Sequence, residues 1–79
     1  MLHARDDYNR IQDPENLIGA DEPVFLLRAQ DKVAPATLRF WAVVNQHNGG
    51  DPKLSALARK HADDMDAWQA SHPTKPADL

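Results

Sequence analysis

The sequence predicts an all-α protein: a small three- to four-helix bundle with a flexible N-terminal arm and a C-terminal tail. Three observations predict it. Aspartate stands just ahead of proline at Asp13-Pro14, Asp21-Glu22-Pro23 and Asp51-Pro52, a recurrent helix-start signal. Apolar residues recur at spacings of three and four through the second half of the chain. Only one short stretch, Val24, Phe25, Leu26 and Leu27, has the look of a strand, and a strand needs a neighbour. At 79 residues the chain makes one domain, with an ordered core expected over about residues 13–71. An apolar fraction of 42% with 27% charge suits a globule and not a disordered chain.

Residues 1–12 have no clean period and read as the arm, with Leu2, Tyr8 and Ile11 as apolar anchors. An ordered, extended arm laid over the core is the alternative. Asp13-Pro14-Glu15 predicts a brief helix that turns Leu17 and Ile18 inward and stops at Gly19. Asp21 and Pro23 favour a second short helix through residues 24–27, against an isolated or homodimer-pairing strand. Residues 31–35 connect, with Ala34 pushed away from helical angles by Pro35. A central helix is expected over residues 36–47. Leu38, Trp41, Ala42 and Asn45 form one stripe, and Phe40, Val43, Val44 and His47 form a second, as packing on two sides requires. Asn48-Gly49-Gly50 ends it.

The cleanest amphipathic helix starts at Asp51-Pro52. Leu54, Leu57, Ala58, His61, Ala62, Met65 and Trp68 share its inner stripe, with His61 half-buried. Lys53, Ser55, Arg59, Lys60, Asp63, Asp64 and Asp66 fall outside that stripe. Pro73 and Pro76 forbid continuation past residues 70–72 and leave a loose tail. Most of the large aromatics, Phe25, Phe40, Trp41, Trp68 and Tyr8, should be core, with one or two near the surface as anchors.

Charge and chemistry narrow the function. The formal charge is −3, but residues 1–30 carry −3, residues 31–60 carry +3 and residues 61–79 carry −3. Arg59–Asp63 and Lys60–Asp64 can pair one turn apart, leaving Asp66 alone at that spacing. Without cysteine there is neither a disulfide nor a thiolate metal site. The histidines His3, His47, His61 and His72 show no metal-ligand spacing, and Gly49-Gly50 lacks the Gly-Lys-Ser/Thr of a phosphate loop. Asp6/Asp7, Asp21/Glu22 and Asp63/Asp64 are adjacent in sequence and point apart on a helix, so none makes an acid/base pair. A non-enzyme without cofactor or metal is expected. No apolar run approaches the ~18 residues of a membrane span, and residues 1–10 hold no secretory signal, which points to the cytoplasm. Arg28, Lys32, Arg39, Lys53, Arg59 and Lys60 offer a basic middle for an accessory nucleic-acid factor, but the negative total works against direct binding.

Protein binding fits better, by a monomer or weak homodimer that meets a host or phage protein complex. Asp63, Asp64 and Asp66 form one candidate contact group, able to enter a positive cleft, and Arg28 and Arg39 form the other. The run Glu22-Pro23-Val24-Phe25-Leu26-Leu27-Arg28-Ala29-Gln30-Asp31, continuing to Ala34-Pro35, resembles a segment of small accessory proteins encoded by phages and prophages, over about 14 residues. By size, acidity and lack of catalytic motifs, though not by any motif, the chain is also similar to anti-CRISPR proteins. That likeness implies an inhibitor that occupies a surface of an RNA-guided surveillance complex and blocks target-DNA binding. A structural homo-oligomeric subunit is the remaining alternative.

Overall fold

The computed structural model describes residues 1–5 and 12–78. Four elements run in the order β1 (Leu2–His3), β2 (Pro23–Val24), α1 (Ala34–His47) and α2 (Pro52–Ser71). Among the described residues there are thus two helices and a small two-stranded sheet, not three or four helices in a bundle.

The N-terminal third departs most from expectation. Asp13 does accept from backbone donors, but not as a helix cap: its carboxylate takes the N–H of Leu17 (3.0 Å) and Ile18 (2.9 Å), four and five residues on. No helix grows from it, because Asn16 takes a left-handed φ of +54° and the chain turns. Leu17 faces solvent and only Ile18 is half-buried. The expected helix over residues 24–27 is absent, and Val24 lies in β2. Its neighbour is the arm. Leu2 pairs with Pro23 and His3 with Val24 in a parallel register. Leu2 N–H donates to the Glu22 carbonyl (2.7 Å) and Ala4 N–H to the Val24 carbonyl (3.1 Å). Those donors sit on the N-terminal arm, in β1 and just after it, so the missing N–H of Pro23 is no obstacle to them. The start of the arm is therefore an ordered strand. The anchors Tyr8 and Ile11, and the Asp6/Asp7 pair, lie outside the described residues.

The second half is a helical hairpin. α1 starts earlier than expected, at a fully buried Ala34 whose N–H donates to the Asp31 carbonyl (3.0 Å). Pro35 sits in the first turn, where its N–H would have had no helical partner. At the other end Gly49 takes φ +76°, Gly50 N–H donates to the Asn45 carbonyl (2.8 Å) and Gly49 N–H to the Gln46 carbonyl (3.3 Å). This paired closure is the Schellman stop. A Cβ on Gly50 would overlap the Asn45 side chain, which lies against the turn. Asp51 then caps α2 by accepting from Lys53 N–H (2.9 Å), with Pro52 in the first turn.

The two helices meet along small residues. The buried set is Ala34, Pro35 and Ala42 on α1 with Ser55, Ala58, Ala62 and Met65 on α2. Met65 apart, side chains this short let helix axes approach toward the near end of about 8–10 Å. Ser55, fully buried, donates to the Ala42 carbonyl (3.1 Å) and accepts from Asn45 Nδ2 (2.9 Å), so the seam carries a satisfied polar link. Ser55 therefore belongs to the core and not to the outer face, while Leu54, Leu57 and His61 are exposed. The reason is rotation: the face of closest approach is set by small side chains, which lie beside the leucine stripe. The second stripe of α1 is likewise uncovered, with Phe40, Val43, Val44 and His47 all exposed.

The C-terminal segment is tied down, not loose. Lys32 N–H donates to the Lys75 carbonyl (3.0 Å) and Lys75 N–H to the Gln30 carbonyl (3.2 Å), forming a parallel bridge of residue 31 with residue 75. In the last turn of α2, Gln69 Nε2 donates to the carbonyls of Ala29 (2.9 Å) and Asp31 (3.0 Å). Trp68 stacks on His72, ring centroids 4.0 Å apart. These ties join the last turns of α2 to the connector ahead of α1.

Candidate functional site

Rotating the seam toward small residues leaves the hairpin with two unlike flanks. On α2, Arg59, Asp63 and Asp66 recur at spacings of four and three and share one flank. Arg39 of α1 reaches across to them, donating to Asp63 Oδ1 (2.8 Å) and Asp66 Oδ2 (2.5 Å). Gln46 of α1 accepts from Arg59 (2.7 Å), and Lys60 pairs with Asp64 one turn along (2.7 Å). The carboxylates raise their partners: Asp63 first and then Asp66 hold the Arg39 guanidinium above its ordinary value, and Asp64 does so for Lys60.

This geometry joins residues that the sequence sets apart. Asp66, solitary at one-turn spacing, is paired from the other helix, and so is Asp63, while Arg59 turns to Gln46 instead of Asp63. Arg39 and the acidic group Asp63, Asp64 and Asp66 thus belong to one locally neutralised cluster with Lys60. Arg28 stands apart, donating to its neighbour Gln30 (2.8 Å). Of the six bases in the middle of the chain, Arg28, Arg39, Arg59 and Lys60 are engaged with the chain's own acceptors. That leaves little bare positive surface for a phosphate backbone.

The opposite flank carries no such pairs. Leu27, Leu38, Trp41, Leu54, Leu57 and His61 line a shallow depression of about 340 Å³ across both helices. Trp41 is 46% exposed, Leu54 51% and Leu57 65%, and on the adjoining surface of α1 Phe40 is 69% exposed. None of Phe25, Phe40, Trp41 and Trp68 is a core residue. His61 is the one titratable side chain in the lining. Among the described residues no three of His, Cys, Asp and Glu come together as metal ligands would, and no helix is long and apolar enough to cross a membrane.

Sequence reasoning missed this flank as a site because it assigned Leu54, Leu57 and Trp41 to the interior. One signal could have found it. Ser55, Ala58, Ala62 and Met65 repeat at spacings of three, four and three, and Ala42 offers a small counterpart on α1. A second helix packing on that narrower stripe necessarily turns the leucines aside. Comparison with protein-family models, with curated proteins and with solved structures finds no match.

Proposed function

We propose that the chain is a non-enzymatic protein-binding protein that acts by occupying a partner's surface, with the uncharged flank of the hairpin as its contact. The observation that carries this reading is the cluster of Trp41, Leu54 and Leu57, each 46% exposed or more around one depression. Contiguous apolar surface rimmed by polar residues is characteristic of protein contacts. Tryptophan is the side chain that most often anchors them. The acidic and arginine groups first favoured from sequence play a lesser part in this reading, because Asp63, Asp64, Asp66 and Arg39 are bonded within the chain.

The narrower proposal is a stoichiometric inhibitor of the anti-CRISPR type, directed at an RNA-guided surveillance complex. It is supported by small size, net acidity and the phage-like segment from Glu22 to Pro35. Two experiments test the readings in turn. Immobilised chain should retain a protein partner from host lysate, and Leu57→Glu should abolish that retention while Asp63→Lys with Asp66→Lys leaves most of it. Loss with the aspartate pair and not with Leu57 would return the contact to the charged flank. Adding the chain to a purified surveillance complex should block target-DNA binding in a one-to-one titration. Unimpeded DNA binding at excess inhibitor would sink the narrower proposal.

A further inference from the structure

We infer that the uncharged flank is filled by a second copy of this chain, two hairpins closing face to face into a four-helix bundle. The inference rests on the reading of that flank as a protein contact and names its occupant. The first argument is area. The accessible surface is 6097 Å², whereas a folded monomer of 8.8 kDa exposes about 4,800 Å². The surplus, counted over the whole chain, is about 1,300 Å², enough to accommodate the roughly 800 Å² that each partner contributes to a standard stable interface.

Shape agrees. The radius of gyration is 13.8 Å, against about 11.6 Å for a compact domain of this length. The shortest extent of the molecule is 19 Å, just short of two stacked helix layers of about 10–12 Å each, from which helical domains are built. α1 and α2 make one such layer, and an apolar flank on a single layer calls for a second.

Charge selects the occupant. The chain has a net charge of −3, so two copies repel at long range. Pairing through the charged flank would bring Asp63, Asp64 and Asp66 against their own images. Pairing through Leu54, Leu57 and Trp41 sets no acid against an acid, and His61 is the sole titratable group in the depression. An apolar surface of this kind is complementary to itself under a two-fold axis. Antiparallel hairpins packed in this way reproduce the architecture of two-chain helical bundles.

The test is sedimentation equilibrium of the intact chain from low to high micromolar concentration. The expected mass is twice 8.8 kDa, and Leu57→Glu should weaken association at least tenfold, while Arg59→Glu on the opposite flank should not. Isotope-filtered NOE spectra of a mixed labelled and unlabelled sample need no variant. They should show contacts between copies at the methyls of Leu54 and Leu57 and the ring of Trp41. A chain that stays at 8.8 kDa throughout, or a dimer whose contacts lie elsewhere, overturns the inference. If such a monomer still holds a host protein that Leu57→Glu refuses, self-pairing is wrong and the protein-contact reading stands. If nothing binds either form, both fall.

Discussion

The two flanks of the hairpin are built from one pair of helices and share one seam, yet they follow opposite rules. On the charged flank every prominent side chain finds its partner within the chain, Arg39 to Asp63 and Asp66, Arg59 to Gln46, Lys60 to Asp64. On the other, Trp41, Leu54 and Leu57 remain substantially in water. Paired surface charges contribute little to stability. Apolar side chains left in water forgo about 25 cal/mol for each Å² that burial would have supplied. The difference teaches that a flank satisfied from within needs no partner, whereas the flank that gains most from one is the flank without charge.

The comparison breaks most severely if the seam itself is widened. Ala62→Leu places three extra carbons where the helices touch, and overpacking of this kind costs about 1–3 kcal/mol or more. Urea unfolding should show that loss, and helix content should fall with it. Next comes the polar link within the seam. Ser55→Ala removes the donor to the Ala42 carbonyl and the acceptor for Asn45, and an unsatisfied buried group costs about 1–3 kcal/mol. Replacing Asp51 with alanine unpins the start of α2 and should lower stability by about 1 kcal/mol, the ordinary value of an N-cap, read as an earlier urea midpoint.

Leu57→Ala sharpens the contrast from the other side. At 65% exposure the residue buries little within one chain, so monomer stability should hardly move while any association through it weakens. Smallest of all is the charged flank. Arg39→Ala should shift the thermal midpoint least, and the shift should shrink further in high salt as the exposed pairs are screened. The Lys60–Asp64 pair raises Lys60, so its contribution is complete below the ordinary lysine value of 10.5 and disappears as pH climbs beyond it. A Lys60→Met variant should therefore differ from the parent near neutrality and converge with it in strong alkali.

Much of the helical half was legible because its signals are local. Asp51-Pro52 marks the start of α2, and Gly49 marks the end of α1 through a positive φ that few other residues accept. The stop at Ser71 follows from Pro73. The N-terminal third was not legible because its order is non-local. Val24 becomes a strand only because Leu2 and His3, some twenty residues away in sequence, lie alongside it, and neither segment announces the other. The tail was misjudged for the same reason, since Lys75 is held by Gln30 and Lys32. The site was concealed by a weighting of size. Leucine and tryptophan dominate any apolar stripe, yet the helices close on Ala42, Ala58 and Ala62, and a shift of one flank exchanges inside for outside.

A seam of alanine and serine makes volume, not polarity, the scarce quantity in this molecule. In a saturation scan read out by folding alone, the customary map would invert. Ala42, Ala58 and Ala62 would refuse nearly every replacement, glycine and serine being the mildest. Leu54 and Leu57 would accept glutamine or lysine with little complaint, and a substitution survey would mistake the bulkiest residues of the sequence for its most dispensable.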